Sequence, residues 1–389
     1  MKNRVLLLLV ALIPIALWLP YLTVAPNRIV TPQGISLLKV LSDTSLWVFL
    51  LPLALLVGSV FLRPSRVTYI FTVLVSTICL TTAFWLAGYY AEQFGQNSGG
   101  LARISLGGGF WLLLLLFWLI AMDAIGRLTS STAYRSLGVL LVFLPVLVLN
   151  ASGALSHLSM AKEYINNKTA FDDALTQHLF IVGLTLAITL VIGIPLGVMA
   201  FRRANFGSAA LKTLSVIQTI PSIALFGLLI APLSALVAHY PLLANWGIKG
   251  IGVTPAVIAL TLYSLLPIVR SMVAGLSQVS PAVTEAARGM GMTEWQILWR
   301  VQTPLALPVL LSGVRVTTVQ AVGLTMVAAL VGAGGFGAIM FRGLSGSAID
   351  LVLLGVIPVI ILAVCVDALF KIIVSFLDKR GTSDGVKTP

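Results

Sequence analysis

Stretches of about 20 consecutive apolar residues recur along this chain, and no other feature limits its fold as strongly. A helix of that length spans a hydrocarbon core of roughly 30 Å. Ten such blocks run approximately over 4–24, 43–62, 67–90, 106–125, 136–153, 175–200, 213–237, 252–274, 305–331 and 351–376. The chain is 59% apolar and only 9% charged, whereas soluble domains carry about 25% charged residues. So few charges cannot clothe soluble domains of this total length. The expected fold is an all-α polytopic membrane protein with about ten transmembrane helices. The first block reads as an uncleaved helix, because Pro26 follows Val24 and Ala25 where a small-residue cleavage site would stand.

The net charge of +12 is distributed as single or paired basic residues at the ends of the apolar blocks. With both termini in the cytoplasm, the connectors 63–66, 126–135, 201–212 and 275–304 face inward. About 16 of the 24 Lys and Arg residues then lie on that side, and reversing the topology inverts the ratio. Basic patches with interleaved aromatics are lacking, which excludes a nucleic-acid partner. Cys79 and Cys365 lie singly within apolar blocks, so neither a disulfide framework nor a zinc site is supported.

Four regions are expected. Residues 1–153 are an N-terminal five-helix membrane extension with many aromatics and few intramembrane polar groups. Residues 154–174 read as a polar extracytoplasmic linker, with Asp172 and Asp173 suited to the N-terminal end of the next helix. Residues 175–376 form a second five-helix bundle, and 377–389 a cytoplasmic tail. The helices of the second bundle are interrupted by Pro195, Pro221, Pro232, Pro255, Pro267 and Pro308 and carry glycines at 193, 197 and 227. Kinked helices are tolerated where neighbours or a cavity satisfy the freed backbone groups. That suits helices lining a solute path and equally suits packing alone. Gln218, Pro221, Arg315 and Gln320 are the candidates for such a path.

The longest inward connector reads as a helical hairpin outside the bilayer. Ser280 suits an N-cap and Pro281 the first helical position. About two turns follow, stopped by Gly289 and Gly291. A second short helix over about 293–301 places Trp295, Leu298 and Trp299 at helical spacing before Pro304 leads back into the membrane.

At this hairpin the chain resembles the membrane subunits of bacterial binding-protein-dependent ABC importers of type I. Their cytoplasmic signature is Glu-Ala-Ala, three residues, Gly, nine residues, then Ile-x-Leu-Pro. Glu285, Ala286, Ala287, Gly291, Val301 and Pro304 match it, with Val in place of Ile at 301 and Thr303 in place of Leu. The resemblance covers roughly residues 171–378. Gln218 to Ser222, Gly332 to Gly337 and the run from Asp350 to Asp367 are similar to the osmoprotectant group, whose solutes include glycine betaine, choline and carnitine. It implies a fold with a five-helix type I permease core, and a hairpin that seats on a separate ATP-binding subunit and transmits its closure. It also implies an extracytoplasmic substrate-binding protein and a second permease, either another copy or a homologous chain. An ABC permease for another small solute, such as an amino acid, is the nearest alternative. An ATP-independent channel or secondary transporter is further off, because the halves show no inverted repeat.

No Gly-x-x-x-x-Gly-Lys-Ser/Thr is present, so ATP must be bound elsewhere. Gly332-x-Gly334-x-x-Gly337 spells a dinucleotide fingerprint, but without a preceding strand it reads as a re-entrant or tight connector, and no cofactor is expected. His157, His178 and His239 are scattered, and no catalytic constellation is legible. Asp367 is expected to pair with Lys371 one turn on. Arg315 lies about 10 Å beyond Pro308 along its helix. An ionisable group at that depth either serves the path, or snorkels to the cytoplasmic interface, or pairs with a carboxylate for assembly.

Overall fold

The computed structural model describes residues 3–26, 30–41, 43–97 and 102–383. The chain divides into two compact units, 1–166 and 167–389. Among the described residues eight helices are long and apolar enough to cross a membrane, and two shorter apolar helices, Arg4–Trp18 and Leu46–Ser59, lie at the N-terminal end.

The first unit opens with α1 (Arg4–Trp18), capped by Asn3, whose side chain accepts from the backbone N–H groups of Val5 and Leu6. The helix ends earlier than the apolar block 4–24 suggests. Leu19 precedes Pro20, a position pushed out of the helical region, and it is extended at φ −71°, ψ 155°. The chain continues into β1 (Leu22–Ala25), the centre of a three-stranded antiparallel sheet with β2 (Gln33–Ile35) and β3 (Arg103–Leu106). Leu22 sits opposite both Ile35 and Leu106. Strands of three or four residues are too short to show an alternating pattern, and this sheet was not legible in the sequence.

Short α2 (Leu37–Val40) leads to α3 (Asp43–Ser59) and α4 (Arg66–Asn97); after the sheet follow α5 (Gly108–Leu128) and α6 (Thr132–Ala151). α4 and α5 form the centre, with Leu80, Leu86, Phe110, Leu113 and Phe117 fully buried. A Cβ on Gly109 would stand 2.7 Å from the carbonyl oxygens of Ala16 and Leu19, so only glycine lets α5 begin against the end of α1.

The polar stretch 154–174 is helical over most of its length. It contains α7 (Ser159–Asn166), and α8 (Lys168–Arg202) starts directly afterwards. Asp172 and Asp173 therefore lie beyond the first turn of α8 instead of at its end. Glu163 is fully buried and pairs with Arg103 of β3, fastening α7 to the sheet.

In the second unit α9 (Ala204–Thr219) and α10 (Ser222–His239) share the apolar block read as one helix; short α11 (Leu242–Asn245) follows, then α12 (Val253–Ser277). The hairpin helix α13 (Pro281–Gly289) and α14 (Glu294–Gln296) precede α15 (Thr303–Ala328), and α16 (Phe336–Ser345) and α17 (Ile349–Ser383) close the chain. The expected tail is thus helical as far as Ser383, and 384–389 lie outside the described residues.

α12 is buried nearly all round, as the central helix of a bundle must be. α8 and α15 pack on it closely. A Cβ on Gly193 would meet Ile268 at 2.9 Å, and one on Gly197 would meet Met272 at 2.5 Å. These glycines serve helix packing, and their helix continues through Pro195. Of the six prolines, only Pro221 ends a helix. Gly332, Gly334 and Gly335 all have φ between 71° and 81°, and they make a tight connector that folds α16 back on α15.

Removing the buried carboxylate tests the tie between α7 and the sheet. Glu163→Ala leaves the mostly buried Arg103 guanidinium without its carboxylate, at a cost of about 1–3 kcal/mol. Thermal unfolding in detergent should show the loss, and an unchanged unfolding temperature would mean that the pair contributes nothing.

A helical hairpin rooted in the second bundle

The hairpin starts at Ser280, whose hydroxyl makes no cap bond, with Pro281 at the first helical position. α13 ends in a Schellman arrangement. Met292 N donates to Ala287 O (3.2 Å) and Gly291 N to Arg288 O (3.0 Å), while Gly291 takes φ +79°. Gly291 is therefore the required turn residue. Gly289, still helical, has open space around its Cα and meets no such requirement.

Thr293 then caps the next segment through a capping box with Gln296, and the Thr-x-x-Gln spacing is the sequence signal for it. The second arm is not a separate helix. Helical backbone runs from Glu294 to Val331 without a break, widening to a π turn over Ile297–Gln302. Pro304 offers no N–H to the carbonyl four residues back and crowds it. The wider turn accommodates the ring, and the Thr303 hydroxyl donates to Leu298 O (2.8 Å).

Trp295, Leu298 and Trp299, expected on one face, divide. Leu298 and Ile297 are buried, Leu298 in a cluster with Val198, Ile268, Met272, Leu276 and Ala306. Trp295 and Trp299 are 58% and 44% exposed and stand edge to face. On α13, Ala287 is buried, whereas Glu285 and Ala286 are exposed. Val301 is half-buried and Pro304 exposed.

The arm is also fastened to the end of α8. Arg202 Nη2 donates to Glu294 O (3.2 Å), and its guanidinium lies 5.3 Å from the Trp295 ring centroid. Arg288 bridges to Glu294 at 2.6 Å across the turn, but both side chains are exposed, so the pair adds little. The arrangement is a hairpin whose inner edge packs in the bundle, while Glu285, Ala286, the Arg288–Glu294 pair, Met290 and two indoles are exposed on its outer side.

Deeper in the bundle, Gln218 and Tyr263 solve a backbone problem. Pro267 cannot donate to the carbonyl of Tyr263, four residues earlier, and Gln218 Nε2 supplies the missing donor at 2.7 Å. The break at Pro221 frees the carbonyl of Ile220, and the Tyr263 hydroxyl donates to it. Two proline-freed carbonyls are thus satisfied by one reciprocal clasp between α9 and α12.

The four path candidates do not meet in one constellation. Gln218 is committed to α12. Arg315 reaches Asp367 of α17, Nε to Oδ1 3.8 Å, and Lys371 pairs with the same carboxylate at 2.6 Å. Gln320, half-buried, lies five residues beyond Arg315 and hence on a different face of α15. His178, given no role from the sequence, is fully buried and donates from Nε2 to Val322 O at 3.1 Å, joining α8 to α15.

Residues 189–380 match the family of binding-protein-dependent transport system inner membrane components. The osmoprotectant import permease protein OsmW of Salmonella typhimurium is 42% identical over 53% of this chain and 90% of its own length. The chain belongs to this family of ABC importer permeases, multi-pass proteins of the inner membrane. Residues 2–161 in addition match the N-terminal domain of the ABC transporter permease YehY. The glycine betaine/carnitine/choline transport system permease protein OpuCB of Bacillus subtilis is 32% identical over 49% of this chain and 81% of its own. Among solved structures, the MetNI methionine ABC transporter in an inward-facing conformation is 23% identical, covering 55% of this chain and 98% of its own, with a TM-score of 0.49.

The reciprocal clasp can be dissected one carbonyl at a time. Tyr263→Phe leaves the Ile220 carbonyl without its donor, and Gln218→Leu does the same to Tyr263. Each should cost about 1–3 kcal/mol. The check is the detergent unfolding temperature of each variant and of the double variant, which should be coupled because the groups touch.

Proposed function

We propose that this chain works as the membrane permease of an ATP-driven importer for glycine betaine or a related osmoprotectant. It forms the translocation path and couples through residues 280–304 to a separate ATP-binding subunit. The observation that carries the coupling role is the hairpin itself. Glu285, Ala286, Trp295 and Trp299 are exposed on it, and its second arm is one continuous helix with α15. A force applied to the outward face is therefore delivered to a membrane helix without an intervening flexible joint.

The solute assignment is supported by the names of the relatives, which concern osmoprotectants, carnitine, choline and glycine betaine. The importer would further comprise an extracytoplasmic substrate-binding protein and a second permease, identical or homologous. Residues 175–376 are the transport core in this reading, 1–153 a membrane extension, and both termini are cytoplasmic, which puts the hairpin on the side where ATP is available. Reporter fusions after 65, 130, 205, 290 and 380 should read cytoplasmic, and those near 35, 165 and 245 extracytoplasmic. A cytoplasmic signal near 165 would overturn the odd helix count of the first region.

Coupling and solute are tested together. Gly291→Pro cannot take the left-handed conformation of the turn. Glu285→Lys reverses the charge offered to the ATPase, at a cost of about 1–3 kcal/mol if the contact is desolvated. Both variants should insert normally, lose co-purifying ATPase and lose uptake of labelled glycine betaine. Normal association and uptake in both would remove the hairpin from the coupling route. Uptake of an amino acid but no betaine by the assembled wild type would overturn the solute assignment alone.

A further inference from the structure

One carboxylate in the second unit carries two cations. Asp367 on α17 holds Lys371 of its own helix at 2.6 Å and Arg315 of α15 at 3.8 Å. The three side chains are only partly exposed, from 28% for Arg315 to 43% for Lys371. The Arg315 contact is made through Nε at long range, so it is a charge contact without the two-pronged fit of a fixed guanidinium–carboxylate pair.

Its position gives it a mechanical meaning. The apolar cluster between these helices joins Ala321 and Val322 of α15 to Leu354, Leu362 and Ala363 of α17. Asp367 lies one turn past Ala363, so Arg315–Asp367 continues the contact beyond the end of that cluster. On its other side α15 is seated tightly on α12, where a Cβ on Gly313 would meet Ser271 Oγ at 2.0 Å. Arg315 also lies on the unbroken helix that begins at Glu294 in the hairpin, about 30 Å away along the axis.

We propose that the Arg315–Asp367 contact passes displacements of the hairpin from α15 to α17, with Lys371 keeping Asp367 neutralised whenever Arg315 moves away. Asp367 is about two-thirds covered, so leaving it without a cation is unfavourable, and a partner one turn along the same helix travels with it. Arg315 can then change its distance from Asp367 without stranding that charge. Arg315 is a positioning residue in this scheme and need not touch the solute.

The inference rests on the permease reading, and the wild-type complex separates the two. The full chain assembled with its ATP-binding subunit and binding protein is placed in vesicles, and solute uptake and ATP hydrolysis are read together. If the wild type moves no solute, the permease reading fails. If it does, Arg315→Gln should hydrolyse ATP near the wild-type rate while uptake falls roughly tenfold, so that less solute moves per ATP. Arg315→Lys, which keeps the charge, should retain most uptake. Arg315→Gln with Asp367→Asn should be as uncoupled as the single variant. Full uptake in Arg315→Gln, recovery in the double variant, failure of Arg315→Lys, or equal loss of hydrolysis and uptake would each overturn the link. Recovery in the double variant would show that the pair only balances charge.

Discussion

Inside a bilayer no water is at hand for a backbone carbonyl, and a proline beyond the first turn of a membrane helix leaves one in need of a donor. The second unit is organised around that constraint. Pro267 frees the carbonyl of Tyr263 and Pro221 ends α9, freeing Ile220; Gln218 and the Tyr263 hydroxyl answer both. Because the two donors come from opposite helices, the break between α9 and α10 has a fixed place against α12. The clasp turns two potential defects into the joint that sets the register of the bundle.

Around that joint, close packing does what hydrophobicity cannot, since lipid is as apolar as a leucine side chain. Gly193 and Gly197 bring α8 onto α12, and Gly313 brings α15 onto its other side. Polar contacts then occupy the margins, His178 toward Val322 and Arg315 toward Asp367. α12 is clamped, and the helices around it are held by contacts of graded strength.

The hairpin is continuous with this framework. Leu298 is buried among residues of α8, α12 and α15, and the arm that carries it becomes α15 through a π turn. Its outer face remains available to a partner while its inner face cannot move independently of the membrane helices. The family signature thus has a mechanical counterpart: Ala287 packs inward, Gly291 makes the turn, and Glu285 and Ala286 face outward.

The membrane class, the blocks that become helices, the hairpin and its turn glycine were all legible in the sequence. Each follows from properties local to a segment: the length of an apolar run, the cost of a left-handed residue, the spacing of a motif. The Asp367–Lys371 pair was legible for the same reason, being one turn apart on one helix. What joins distant segments was not legible. The sheet joining 22–25, 33–35 and 103–106, the burial of Glu163 on Arg103, the exchange between Gln218 and Tyr263, and Asp367 as the partner of Arg315 depend on which helices become neighbours. That choice is made by packing over the whole bundle, where a glycine's missing Cβ or a proline's missing N–H acquires meaning only from the residue opposite. Sequence alone determined that these chain segments cross a membrane and that one hairpin leaves it; the tertiary structure decided which side chains hold them together.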